Sequence, residues 1–409
     1  MHNRLRTKTT ATLLCMSAAV SMNIFSSTSA QDVLVAGITL SDLHDAGYRI
    51  DWINKTSTGN LRLPTVIGNS FYTIDEDDNL SRYNAATGEW VWSNPIGNKI
   101  FEMLSISEFP DSDLVYVLSD GAVYLTYTLT GTSFAPRQES KSNISIKPFY
   151  SLRLTANTSA MTTDNTLLYG TITGDLVWLE PKTGYVNARY HIGNAISSTP
   201  ILVSAAENSS ISNKSLVIGT SSDGTVIAID SENVSRTWGF KLTAPVIASV
   251  SYDTNSTLLE NEKLPRSTVV IAGQDQYLRA VDLHTGKPRW KALTTSPLEN
   301  SPAIYGGVLY QRIPSEGLAC YETFPNDYSG KLKWTAEDVK GNVITTTSNK
   351  RLVCWDENNK KLQILDPHLG AVTATVTLPS AKQVVASNTE NGALFILTED
   401  DEIIRLALR

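Results

Sequence analysis

Three runs of carboxylates and a thin scatter of histidines are what this chain offers to chemistry. The runs are Asp75-Glu76-Asp77-Asp78, Glu399-Asp400-Asp401-Glu402 and the pair Asp356-Glu357. Carboxylates at alternate positions can give oxygen ligands to calcium, but neither long run has the spacing of a dedicated calcium loop. The five histidines, at 2, 44, 191, 284 and 368, stand apart from one another and from the cysteines, so no metal-ligand spacing arises. There is no Gly-x-Ser-x-Gly elbow, no His-Glu-x-x-His and no phosphate-binding loop. No spacing joins Ser, His and Asp into a triad. The residues therefore predict no catalytic, cofactor-binding or metal-binding side chain. Two weaker candidates remain. The carboxylate runs could dock a basic protein segment, and Glu299, Asn300 and Arg312 form a polar group suited to a small ligand.

Those residues acquire positions only through the elements around them, and a repeated turn supplies these. Asn84-Ala85-Ala86-Thr87-Gly88 is followed by Trp92, Asp282-Leu283-His284-Thr285-Gly286 by Trp290, and Tyr328-Ser329-Gly330 by Trp334. In each the indole comes four residues after the glycine. Weaker copies end at Gly131, Gly184 and Gly370, and a glycine-less copy, Asp230 to Val234, precedes Trp238. Short apolar segments rich in β-branched and aromatic residues flank the turns, such as Leu114-Val115-Tyr116-Val117-Leu118 before Ser119-Asp120-Gly121. They read as strands joined by hairpins. A helical stretch is expected only at Leu40 to Ala46.

The turn recurs every 40 to 53 residues, a four-stranded unit that cannot bury both of its faces alone. A ring of such units buries each face on a neighbour. The expected fold is an all-β, eight-bladed β-propeller of four-stranded antiparallel blades, one domain over residues 31–409. The eighth blade lacks an outer strand with a tryptophan, and Tyr48-Arg49-Ile50-Asp51-Trp52 is expected to close the ring by completing it. Ring closure also makes blades 7, 8 and 1 neighbours, which predicts one acidic sector built from Asp75, Glu76, Asp77, Asp78, Asp356, Glu357, Glu399, Asp400 and Asp401. Glu299, Asn300 and Arg312 fall near the axis, and the tryptophans are scaffold.

Residues 1–30 read as a secretory signal: Arg4, Arg6 and Lys8, an apolar run from Thr12 to Phe25, and small residues at Thr28-Ser29-Ala30. Leu14 before Cys15 departs from a lipoprotein signal, so a lipid anchor is the minority expectation. Removing residues 1–30 takes away three bases and no acid from a chain of net charge −7, and such acidity excludes sequence-independent nucleic-acid binding. Of three cysteines, Cys320 and Cys354 would remain, too few for a disulfide framework. Whether they pair, and whether the Asn-x-Ser/Thr triplets carry glycans, stays open at this stage.

The pattern of Asp282, Thr285, Gly286 and Trp290 resembles the pyrroloquinoline-quinone (PQQ) propeller repeat, and the likeness spans most of residues 48–409. That family holds quinoprotein dehydrogenases and non-enzymatic exported scaffolds. The dehydrogenases would imply PQQ, calcium and an aspartate base. The long alcohol-oxidising forms usually carry adjacent cysteines, absent here, and the sugar-oxidising relatives use a catalytic histidine, for which no residue here has a partner. The chain is more similar to the BamB type of outer-membrane assembly scaffold. The resemblance implies a periplasmic or secreted monomer, without cofactor, that binds protein partners in a membrane-associated complex. A PQQ-dependent sugar or alcohol dehydrogenase is the alternative.

Overall fold

Each blade is a hairpin meander whose two middle strands are buried on both faces, and this is why its apolar residues run on without alternating. In a computed structural model, Leu114–Ser119 is buried throughout, as is Leu216–Thr220, whereas the outer strand Tyr185–His191 alternates between exposed and half-buried positions. The structure describes residues 34–409 except 57–58, 98, 110–111, 135–148, 164–165, 205–213, 256–265, 326–327 and 388–391. The segment expected to be a secretory signal lies outside the described residues, as do the Asn-x-Ser/Thr asparagines Asn143, Asn208 and Asn213.

Eight four-stranded antiparallel sheets follow in chain order. Blade 1 comprises Arg62–Ile67, Ser70–Ile74, Asn79–Asn84 and Trp90–Pro95. Blades 2 to 7 span 103–151, 161–191, 201–241, 251–293, 303–336 and 342–377. At most seams the first strands of successive blades touch one another and so line the axis. Blade 8 takes Ala381–Ala386, Leu394–Thr398 and Glu402–Leu408 from the C-terminus, and its outer strand is Tyr48–Lys55. That strand pairs from Tyr48 opposite Leu408 to Lys55 opposite Glu402, which is the closure expected from Trp52. The helix Leu40–Asp45 is also present, after a small hairpin of Leu34–Val35 and Ile38–Thr39.

The Thr-Gly turn and the tryptophan prove to be two halves of one contact between blades. The indole of one blade lies over the turn glycine of the next. A Cβ added at Gly88 would stand 2.5 Å from Trp52, one at Gly131 2.6 Å from Trp92, and one at Gly286 2.7 Å from Trp238. These glycines have positive φ, so both the backbone and the indole exclude a side chain. The indole Nε1 then donates to a carbonyl in the covered turn: Trp92 to Thr128 at 2.8 Å, Trp238 to Leu283 at 2.7 Å and Trp334 to Pro367 at 3.0 Å. Burying such a ring with its N–H satisfied removes both a cavity and an unpaired donor from the seam.

Two turns differ from the expectation. Around Gly330 the chain runs longer and pairs in parallel with the blade 5 edge at Lys291, with Trp290 donating to Thr323 at 2.9 Å. Its glycine is set by the approach of Ala292 and Trp290, at 2.8 and 2.9 Å from a Cβ, and not by positive φ. In blade 2 the outer strand is Phe149–Ser151, and Tyr150 covers Gly184 in place of an indole. Cys320 and Cys354 are both free and buried in the core shared by blades 6 and 7. Burial pushes the Cys320 thiol up to about 12.

Candidate functional site

In an antiparallel four-stranded blade, the hairpins between strands two and three share a face with the connections between blades. The carboxylate runs occupy these hairpins in blades 1, 7 and 8, and the sector forms where the ring closes. Its carboxylates divide into two kinds. Asp75, Asp78 and Asp356 are buried and hold the hairpins themselves. Asp75 accepts from the backbone N–H of Asp77 and Asn79 at 2.9 Å each, and from the Asn79 amide at 2.8 Å. Asp356 does the same with the N–H groups of Asn358 and Asn359, at 3.1 and 3.2 Å, and with the Asn359 amide at 2.7 Å. These are Asx turns, in which a short carboxylate replaces a backbone acceptor. Asp78 is ion-paired to Arg62 and accepts from the Lys99 N–H at 2.7 Å.

Asp401 works across the closure. Its carboxylate accepts from the N–H of Asn60 at 3.0 Å and of Leu61 at 2.9 Å, while its carbonyl accepts from Thr56 Oγ1 at 2.9 Å. It ties the last blade to the chain entering the first. Glu76, Asp77, Glu357, Glu399 and Asp400 are exposed. Bases thread between them, which no linear spacing announced. Lys99 Nζ meets Asp77 at 2.5 Å, and that carboxylate holds the ammonium above its ordinary value. Lys360 lies 3.7 Å from Glu399, and Lys382 donates to Asn60 Oδ1 and Leu61 O at 2.8 Å each.

Beside the sector, the axis opens on the same face in two cavities that meet at Thr158 and Ser159 of blade 3. One, of about 470 Å³, is mixed: Leu63, Leu104, Ile106, Trp355, Val384 and Val385 give it an apolar wall, and Thr65, Ser105, Ser159, Gln383 and Glu357 give it polar groups. The other, of about 440 Å³, is polar, lined among others by Ser197, Thr199, Ser249, Ser301 and Asn342. Glu299 and Asn300 line this second cavity together. Arg312 does not line it; its Nη1 donates to Asn300 Oδ1 at 3.0 Å, and Gln311 Nε2 holds the Asn300 carbonyl at 3.1 Å. The hydroxyl lining had a signal in the sequence, since Ser198-Thr199-Pro200 and Asn300-Ser301-Pro302 occupy the same phase of the repeat. The apolar arc had none, because Trp355, Leu63 and Val384 meet only through closure.

A calcium-bound tricarboxylate quinone would need several acidic ligands for the metal and cations for its own carboxylates. The polar cavity offers Glu299 as its one carboxylate and no lysine or arginine. Among the described residues, no three His, Cys, Asp or Glu side chains converge on a point that could hold a metal. The residues of this mouth do not fit that group. His284 and His368 lie in turns on the opposite face, and burial lowers the His284 imidazole below its ordinary value.

The family model for the outer membrane protein assembly factor BamB matches the chain over residues 135–405. No curated protein matches its sequence. Among solved structures it is similar to BamB from Moraxella catarrhalis, with a TM-score of 0.62 at 12% identity, covering 88% of this chain and 98% of that one. It is equally similar to the computationally designed Ika8 protein, with a TM-score of 0.62 at 12% identity over 87% and 98% of the two chains. At these identities the likeness to solved structures is one of fold.

Proposed function

This chain belongs to the family of the outer membrane protein assembly factor BamB, and on that premise we propose that it is an exported, non-enzymatic scaffold. In this reading it works as a monomer in the periplasm and holds a protein partner of a membrane-associated complex. One observation carries it. On the face that bears the axial mouth, Glu76, Asp77, Glu357, Glu399 and Asp400 project from hairpins whose conformation is set by buried or bonded carboxylates. Preset acidic groups beside a cavity with one apolar wall suit a basic segment that carries an apolar side chain. They would steer its approach more than they would add affinity, and little ordering cost would attend its capture.

The test is charge neutralisation that spares the frame. A variant with Glu76→Gln, Asp77→Asn, Glu399→Gln and Asp400→Asn keeps Asp75, Asp78, Asp356 and Asp401. It is expected to melt as the parent does and to capture its partner from solubilised membranes about tenfold less well, with a shallower salt dependence. Unchanged capture would remove the acidic sector from the reading. The enzyme alternative is tested separately. Addition of PQQ and calcium to the purified chain is expected to give no spectral shift and no dye-linked oxidation of sugars or alcohols. Turnover there would replace the scaffold reading.

A further inference from the structure

Among the described residues, three seams lack an indole on the outer strand: Tyr150 stands in for it at the turn of blade 3, Ala374 takes its place in blade 7, and the third lies between blades 3 and 4. Trp238, Trp290 and Trp334 stand opposite Ala228, Ala280 and Cys320 on their blades, but in blade 3 Ala188 takes that place opposite Trp178. There the indole comes from the middle strand instead: Trp178 Nε1 donates to Ser231 Oγ at 3.2 Å, in a blade 4 turn that carries Val234 at φ +48° in place of glycine. Further along the same outer strand a cavity of about 320 Å³ opens between blades 3 and 4. Tyr190, His191 and Ile192 line it from one side, and Ile227, Arg236 and Lys241 from the other. No carboxylate lines it, although acids outnumber lysine and arginine 41 to 34 in the chain.

The cations there are only partly compensated. Lys241 Nζ is bonded to Asp223 at 2.6 Å, and Arg189 and His191 share Asp175 at 3.0 Å each. Both carboxylates, and Arg189 with them, lie just outside the lining. Arg236 is exposed and takes part in no ion pair among the described residues. Its guanidinium lies back across Gly239, where Nη2 donates to the Gly239 carbonyl at 2.6 Å and a Cβ would stand 3.0 Å away. Gly239 thus leaves room for the guanidinium to lie flat on the strand, with the rest of its fork open. Arg189, Arg236 and Lys241 against Asp175 and Asp223 leave a positive balance in an acidic protein.

We propose that this seam is an anion site that takes a phosphate monoester. A phosphate presents three strong acceptor oxygens, and the cavity meets them with the guanidinium fork and the ammonium of one strand, Ser235–Lys241, and the imidazole of another, Tyr185–His191. A carboxylate has one oxygen fewer and would leave one of these groups unmet. Ile192, Ile227 and Tyr190 accept the organic body of the ester, and the volume is that of a small-ligand pocket. The phosphate could come from a soluble ester or from a lipid headgroup. The site stands independently of the acidic sector, which lies across the ring.

Calorimetry of the chain from residue 31 onward, at low ionic strength, with inorganic phosphate and with glucose 6-phosphate, tests the site. Saturable binding at one site per chain is expected, weakened about tenfold or more in Arg236→Ala. It should be unchanged in Lys287→Ala, which removes an exposed cation from a turn of blade 5. Melting curves of both variants check that the fold is intact. Flotation with phosphatidylcholine vesicles, with and without phosphatidic acid, separates the sources. Capture by the acidic vesicles that is lost in Arg236→Ala assigns the headgroup, and saturation by soluble ester without vesicle capture assigns the soluble form. No saturable binding of ester or vesicle, or equal weakening in Lys287→Ala, would overturn the proposal.

Discussion

A chain lacking residues 31–56 is expected to lose its cooperative unfolding transition, or to keep one at least about 15 °C lower. The segment supplies a whole strand of the last blade, paired from Tyr48 to Lys55 against Glu402–Leu408. It also supplies side chains that nothing else can replace. Tyr48, Ile38 and Leu43 are each 1% exposed, and the last two pack with Leu362, Ile364 and Val376 of blade 7. They occupy the seam where blade 7 offers only Ala374 in the tryptophan position. Tyr48 Oη donates to the Gly392 carbonyl of its own blade at 2.9 Å, and Asn54 Nδ2 to the Gly88 carbonyl of blade 1 at 2.6 Å, so the strand is tied both within its blade and across the closing seam. At about 1.5–3 kcal/mol for each large apolar side chain buried, the loss is on the order of 5 kcal/mol or more, comparable with the whole stability of a domain. The strand Glu402–Leu408 would be left as an open apolar edge, so aggregation on heating is expected too. Calorimetry and light scattering read both effects. An unchanged melting temperature would mean that the ring does not depend on its closure.

The closure could be read from the sequence because it is a matter of counting. Seven turns and an unattached Tyr48-Arg49-Ile50-Asp51-Trp52 leave one blade short of an outer strand, and only one segment is left to fill it. The middle strands were legible for a related reason, since burial on both faces imposes continuous apolar runs such as Leu114 to Leu118. What lay beyond reach was every property set between blades. Asp75 and Asp77 look alike in a run of acids, yet one organises a hairpin and the other faces solvent. The difference is fixed by whether the side chain points back at its own turn. Asp401 belongs with Asn60 and Leu61 across more than three hundred residues of chain. Arg312 is near Asn300 as expected, but it positions that amide instead of lining the mouth. The cavity at Arg236 was hidden for the same reason. Nothing about Ala188, Val234 or Gly239 stands out until two blades are laid side by side.

The contact between tryptophan and glycine is expected to behave as a single energetic unit, and the blade 4–5 seam is the place to measure it. Gly286 has φ +65°, and a Cβ there would lie 2.7 Å from Trp238 Cδ2. Gly286→Ala therefore carries two costs. Positive φ with a Cβ costs about 1–2 kcal/mol, and pushing the indole aside costs about 1–3 kcal/mol more. Trp238→Ala removes a ring that is 7% exposed, stacked on Phe240 at 5.9 Å and bonded to the Leu283 carbonyl, for about 3–5 kcal/mol. In the double variant the clash has no second partner, so Gly286→Ala should then cost only its backbone share. The double variant is thus expected to be about 1–3 kcal/mol more stable than the sum of the single effects predicts, as read by urea unfolding. The protein contains its own control. Blade 3 has Ala188 where the outer-strand indole would stand, its indole comes from Trp178 on the neighbouring strand, and the turn it faces has Val234 at φ +48° in place of glycine. Val234→Gly should stay within about 1 kcal/mol of the parent, because relief of the backbone offsets the packing it gives up. Additive effects at Gly286 and Trp238 would mean that turn and tryptophan are separate features of the repeat. A coupling of the expected size would explain why outer-strand tryptophan and turn glycine recur together.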